Sequence, residues 1–143
     1  MCIRDSSEEV VGDLVAKTKA PANPFIATKV WTSGKDAGIR QMRDSMRKLR
    51  VKAVDLMQVH NLLDVDTHLD TLERWKRDGR VRYVGVTHYT ASAHDQLAKV
   101  ISTRRVDFLQ INYSVAEREA ERRLLPLAGE RGVAVIALSL IHI

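Results

Sequence analysis

Five short apolar runs recur along this chain of 143 residues: Phe25–Val30, Val54–His60, Val81–Val86, Phe108–Ile111 and Val133–Ile136. Their centres near Ala27, Met57, Val84, Leu109 and Val135 are 30, 27, 25 and 26 residues apart by subtraction. Each run is rich in β-branched residues and nearly continuous in its apolar character, which is the pattern of a strand buried on both faces. The stretches between them carry apolar residues at three- and four-residue steps, the period of a helix. Ile39, Met42, Met46 and Leu49 mark a helix over Lys35–Leu49; Leu69, Leu72 and Trp75 mark one that Asp78-Gly79 stops, with Gly79 as a left-handed cap; Leu97, Val100 and Ile101 mark a third. Pro126 opens a short helix that Gly132 closes. Ahead of the first strand, Ser6 or Ser7 with Glu9 reads as a capping box for a helix striped by Val10, Val11, Leu14 and Val15.

A strand–helix repeat of this length returns the chain to the adjacent strand, so the strands are expected to run parallel with right-handed connections. Two architectures satisfy it: an open doubly wound sheet, complete at five strands, or part of an eight-stranded barrel, which takes about 250 residues. Length alone favours the open sheet. Composition, with 45% hydrophobic and 29% charged residues, is that of one ordinary globular domain. No run approaches the ~20 apolar residues of a membrane-spanning helix. One cysteine, Cys2, excludes an internal disulfide and a thiolate metal cluster, and no metal site is expected. The net charge of +5 is dispersed, with Arg43, Arg47, Lys48, Arg50 and Lys52 among acidic and apolar residues, and no nucleic-acid-binding motif accompanies it.

In both architectures ligands bind at the carboxyl ends of the strands. Those ends carry Lys29, His60-Asn61, Thr87-His88-Tyr89 and Gln110 to Ser114. Lys29 is either a site lysine whose stem lies between packed strands or a lysine leaving the sheet for water. His60 is either a donor or general acid/base at a carbonyl or a satisfied core histidine. His68, His94 and His142 have neither strand-end position nor metal-ligand spacing and are assigned to solvent. No G-x-G-x-x-G follows a strand, no G-x-x-x-x-G-K-[ST] occurs, and Gly34 and Gly38 read as a loop leading into a helix. A G-x-S-x-G elbow is absent too.

Taken in order, the segments Phe25–Val30, Val54–Asn61, Val81–Val86 and Asp107–Ser114 resemble the aldo-keto reductase family over about Ser7 to Ala137, from that family's second barrel helix to its seventh barrel strand. The resemblance turns the choice of architecture to an incomplete (β/α)8 TIM barrel with about five parallel strands and helices on the outer face. It implies NADPH-dependent reduction of an aldehyde or ketone by hydride transfer, with an Asp, Tyr, Lys and His tetrad. Lys29 and His60 match two tetrad members; Gln110 and Tyr113 match positions that hold the nicotinamide. Thr87-His88 lies where the family carries Ser-Asn for the nicotinamide amide, so His88 is a departure. Trp31 and Asn61 are expected in the substrate pocket.

The tetrad Asp and Tyr match no residue here, since Asp5 runs directly into Ser6-Ser7-Glu8-Glu9 and Tyr83, Tyr89 and Tyr113 fit other positions. The chain by itself is therefore expected to be inactive and, with open strand edges, poorly soluble. Residues 7–137 are taken as a partial barrel domain, and 1–6 and 138–143 as non-matching ends of the kind that translated adapter sequence would give. The expected partner is a small carbonyl substrate, with no nucleic acid or membrane, in the cytoplasm. Two other readings stay open at this point: a cofactor-binding regulatory subunit on the same barrel, and a self-contained open α/β nucleotide-binding domain.

Overall fold

Each apolar run forms a strand and each helical stretch a helix. The computed structural model describes residues 4–17 and 24–138. In chain order the elements are α1 (Arg4–Lys17), β1 (Ala27–Val30), α2 (Lys35–Lys48), β2 (Val54–His60), α3 (Val65–Arg77), β3 (Val81–His88), α4 (His94–Thr103), β4 (Phe108–Asn112), α5 (Leu124–Arg131) and β5 (Ala134–Leu138), with short 3-10 turns at Ala91–Ala93 and Glu119–Arg122. The strands form one parallel sheet in the order β1-β2-β3-β4-β5.

That order decides between the two architectures. A doubly wound sheet reverses its strand order and carries helices on both faces. Here every connection steps to the next strand in the same direction, so right-handed crossovers keep all the helices on one side, as in a barrel wall. The length-based preference for an open sheet is thereby overturned. The fold is five consecutive strands of a (β/α)8 barrel with its helices outside.

One face of the sheet packs on the helices. Val30, Met57, Val59, Val84, Val86, Leu109 and Ile111 meet Met42, Leu69, Leu72, Leu97, Ile101 and Leu124 in a single core. Burying each such side chain contributes about 1.5–3 kcal/mol, which is what fixes strand register against a slip. The alternate residues face inward. Near the amino ends of the strands these are Phe25, Tyr83 and Phe108, an aromatic trio with ring centroids 5.4–6.2 Å apart. Near the carboxyl ends they are polar.

Helix ends and turns are held by specific residues. Gly79 has φ +72° and lets the amide of Arg80 reach the carbonyl of Trp75 at 2.9 Å, closing α3 as its sequence predicts. Asp107 accepts from the amide of Val84 at 2.8 Å and from Lys76 Nζ at 2.6 Å, tying the end of α3 to the entrance of β4. Arg104 reaches Asp66, Asp70 and Glu73 along one side of α3.

Several expectations change. Helix α1 begins at Arg4, so Ser6 and Ser7 lie inside it and do not cap it. Among those of its residues whose burial is described, Glu8 and Gly12 are buried, while Val10, Val11 and Leu14 are exposed. Glu8 is drawn inward because it accepts a hydrogen bond from Thr28 Oγ1 at 2.5 Å, and Gly12 because the backbone of Lys48 leaves no room for a side chain. Helix α5 starts at Leu124, ahead of Pro126, since proline is tolerated throughout a first turn where amides lack intrahelical partners. Histidine 68 is fully buried and His94 is half-buried, bonded through Nε2 to Asn112 Oδ1 at 3.1 Å, so neither is given to solvent. His142 and Cys2 lie outside the described residues.

Candidate active site

The parallel register sets the inner-facing residues in rows. His60 pairs with Thr87, Thr87 with Gln110 and Gln110 with Ile136, so three of the expected site residues share one row across β2, β3 and β4. Lys29 pairs with Gln58, two residues before His60, and so stands on the same face one step towards the amino ends. Trp31 follows β1 beside His60, with ring centroids 5.6 Å apart and planes at 89°. Lys29, Trp31, His60, Thr87 and Gln110 are thus gathered at one end of the inner face.

One polar side chain that sequence reasoning missed belongs to this face. Gln58 is 2% exposed, and its Nε2 has no hydrogen-bond partner among the described residues. Its room comes from Gly85, its register partner: a Cβ there would lie 3.1 Å from Gln58 Cγ and 2.9 Å from the Phe108 carbonyl. The signal was present, since Gln58 interrupts an apolar strand on the parity of His60, and a buried polar group without a partner costs roughly 1–3 kcal/mol. Asn61 was expected in the pocket. It adopts φ +52°, donates its amide to the Thr87 carbonyl at 2.8 Å and leaves a buried Oδ1 without a partner among the described residues.

The turn after His60 is strained. Asn61, Leu62 and Asp64 all have left-handed φ, at 52°, 54° and 49°, a conformation that costs a side-chain-bearing residue roughly 1–2 kcal/mol. Hydrogen bonds over-determine it. Asp64 Oδ2 accepts from the Gly34 amide at 2.8 Å, and Oδ1 from Thr67 Oγ1 at 2.8 Å. These donors, the Gly34 amide first, hold the Asp64 carboxyl below its ordinary range.

His88 and Tyr113 are set differently. Alternation puts His88 on the helix-facing side of β3, where Nδ1 accepts from the Thr90 amide at 3.3 Å and the ring stacks on Tyr89 at 5.5 Å. Because an amide can only donate, this bond requires the neutral Nε2–H tautomer; burial first, then His94, pushes its pKa down. Tyr113 lies just past β4, off the His60–Thr87–Gln110 row. Its hydroxyl donates to Glu121 Oε1 at 2.5 Å, and that carboxylate also receives Arg118 Nε at 2.8 Å and Nη2 at 3.0 Å. The Glu121 carboxylate in turn pushes the Tyr113 phenol pKa up.

A cleft of about 550 Å³ lies further out on the same rim, lined by Asn112, Glu117, Arg118, Glu121 and Arg122. Among the described residues no group of His, Cys, Asp and Glu is arranged to hold a metal, and no helix is long and apolar enough to cross a membrane.

Known proteins with this pattern are consistent in kind. The model of the Aldo/keto reductase family matches residues 4–142. Methylglyoxal reductase DkgB of Salmonella typhi is 27% identical over 116 residues, covering 76% of this chain and 43% of the relative. Among solved structures, aldo-keto reductase AKR11C1 from Bacillus halodurans in its holo form superposes with a TM-score of 0.78 at 23% identity, covering 94% of this chain and 48% of that one. An aldo/keto reductase from Klebsiella pneumoniae in complex with NADP and acetate does so with a TM-score of 0.75 at 23% identity, covering 93% and 48%. These last two are likenesses of fold. The chain spans a little under half the length of these relatives. With its family-model match, sequential parallel sheet and strand-end row of polar residues, this chain is a member of the aldo/keto reductase family.

Proposed function

We propose that this chain forms the Lys–His side of an NADPH-dependent carbonyl reductase site. The observation that carries the reading is the common row of His60, Thr87 and Gln110, with Lys29 one step beneath it, on the inner face of a barrel wall. The inner face suits a nicotinamide. Buried Gln58 Nε2 and Asn61 Oδ1 lack partners among the described residues, and the Gln110 carboxamide forms no hydrogen bond among them, so amide donors and acceptors are present for a carboxamide ligand.

NADPH, when bound, supplies the hydride. Thr87 and Gln110 hold the nicotinamide amide through a hydroxyl and a carboxamide. His60 directs a hydrogen bond at the substrate carbonyl oxygen and so orients it. The Lys29 ammonium supplies positive charge near the oxygen that becomes an alkoxide, in a setting where nearby charge acts strongly. Trp31 and Asn61 wall the substrate side. His88 and Tyr113 stand near the rim of the cofactor groove, His88 as a neutral ring and Tyr113 through Glu121. The substrate class is a small aldehyde or ketone, and the setting is the cytoplasm.

Only two members of the family's tetrad match residues of this chain, and a positioned proton donor is worth roughly 100- to 10,000-fold in rate. The reading therefore expects binding without appreciable turnover from these 143 residues. NADPH fluorescence titrated with the chain tests it: saturable enhancement that Gln110→Ala weakens supports the site. No saturation at any accessible concentration, or steady NADPH oxidation with methylglyoxal as probe substrate, would count against it.

A further inference from the structure

The first turn of α3 does work that the proposed chemistry leaves unexplained. His68 is fully buried, on the face of α3 that also carries Leu69, Leu72 and Trp75. Its Nε2 lies 2.6 Å from the carbonyl oxygen of Thr32. A carbonyl can only accept, so the proton is on Nε2, and the ring is a donor aimed at the loop that follows Trp31. The ring sits against Gly38 of α2, where an added Cβ would fall 2.4 Å from its Cε1. One position of α2, Gly38, thus lacks a side chain where the imidazole sits.

Four residues earlier, Asp64 grips the same loop from its other end. Its Oδ2 takes the Gly34 amide at 2.8 Å, while its own backbone closes the left-handed turn that begins at Asn61, directly after His60. The 31–34 loop is fixed on its third side by α2, where Gln41 Oε1 accepts from the Trp31 amide at 2.7 Å. The segment bearing Trp31 and the segment bearing His60 therefore meet through Asp64, the residue just ahead of α3, and His68 in its first turn. Three left-handed residues within four positions persist only where surrounding bonds over-determine them, and Asp64 supplies two of those bonds.

We infer that Asp64 and His68 are positioning residues of the candidate site: they clasp the 31–34 loop to the turn after His60 and thereby set the perpendicular contact of the Trp31 and His60 rings. The inference rests on reading the strand-end row as an active site, and adds two residues that touch none of its proposed reacting groups. Asp64 acts through the Gly34 amide, His68 through the Thr32 carbonyl, and Gly38 is the space that makes the second contact attainable.

The test reads geometry and not turnover, so its failure and that of the reductase reading are separable. The whole chain is labelled with fluorotryptophan, and the fluorine resonances of its two tryptophans are followed on acidification, Trp31→Phe identifying one and His60→Asn identifying the step that its protonation causes. With the Trp31 ring 5.6 Å from that of His60, the Trp31 resonance shifts as His60 takes a proton. Asp64→Ala and His68→Leu lose most of that shift. Asp64→Asn and His68→Gln retain it, because the first keeps an acceptor for the Gly34 amide and the second a donor for the Thr32 carbonyl. Leu97→Ala, a destabilising change in α4 away from the clasp, also retains it. An undiminished shift in Asp64→Ala and His68→Leu overturns the inference, as does an equal loss in Leu97→Ala or a Trp31 resonance that ignores His60 in the starting chain. Should His68→Leu fail to fold, Asp64→Ala, a truncation at a part-exposed turn, decides alone.

Discussion

The rings of Trp31 and His60 stand perpendicular, 5.6 Å between centroids, at the carboxyl ends of neighbouring parallel strands. Trp31 is 46% exposed, as suits a side chain proposed to wall a pocket rather than fill the core.

Trp31→Ala is accordingly expected to lower stability by about 1–2 kcal/mol, combining the aromatic pair with partial burial and falling short of the roughly 3–5 kcal/mol of a buried tryptophan. Urea unfolding gives this directly. A loss of several kcal/mol would mean that Trp31 is a core residue and not a pocket wall.

Gly38 sets a sharper expectation. Alanine would normally strengthen a helix by about 1 kcal/mol over glycine, yet here its Cβ meets the His68 ring at 2.4 Å. Gly38→Ala should therefore destabilise, by about 1–3 kcal/mol net as overpacking does. Adding His68→Ala, which vacates the space, should return much of the alanine's penalty; a double-mutant cycle showing simple additivity would refute the contact.

Helix α1 is tied to the sheet through Glu8, 8% exposed, which accepts from Thr28 Oγ1. Glu8→Ala leaves the threonine hydroxyl buried without its acceptor, at a cost of about 1–3 kcal/mol. Hydrogen exchange should report the change in α1 before α2 or α3. Uniform loss of protection across the chain would contradict a local tether.

His88 makes stability depend on pH with a definite sign. Burial and the neighbouring His94 hold its folded pKa below the ordinary 6.5. On acidification the unfolded chain takes the proton first, so the contribution of neutral His88 is intact above about pH 6.5 and is lost as pH falls below it towards the folded pKa. Protonation also removes the acceptor that Nδ1 offers to the Thr90 amide. Urea midpoints at pH 7.5 and pH 5.5, taken as rough brackets of the histidine range, should separate in the parent chain and draw closer in His88→Gln. Equal separation in both would assign the acid sensitivity to other groups.

The strands were legible because each is a nearly continuous apolar run, and their spacing implied a parallel sheet whichever architecture was chosen. Sequence order in the sheet was not legible from spacing; the resemblance to a barrel family supplied it, and the observed order bears that out. Lys29, His60, Thr87 and Gln110 could be picked out because polar residues ending apolar strands must go to the carboxyl rim. His68 was assigned to solvent because a histidine without strand-end position or metal-ligand spacing suggests no partner, yet it lies three residues after Val65 and four before Leu72, within the apolar stripe of α3 that carries it inward. The inward turn of Glu8 was hidden for a different reason. A charged residue is drawn into a helix interface only by a partner distant in sequence, and Thr28 is twenty residues away. Likewise, the commitment of Tyr113 to Glu121 depends on how the chain doubles back after β4.

Among the described residues, the sheet joins each strand only to its neighbours in the sequence. Its pairings consequently close loops of similar, modest length, each costing nearly the same entropy. Folding can nucleate at any adjoining pair of units and spread outward as along a repeat array. Strand β3, with a paired strand on each side that is itself paired again, is then expected to exchange most slowly, and β1 and β5, each with one neighbour among the described residues, to exchange first.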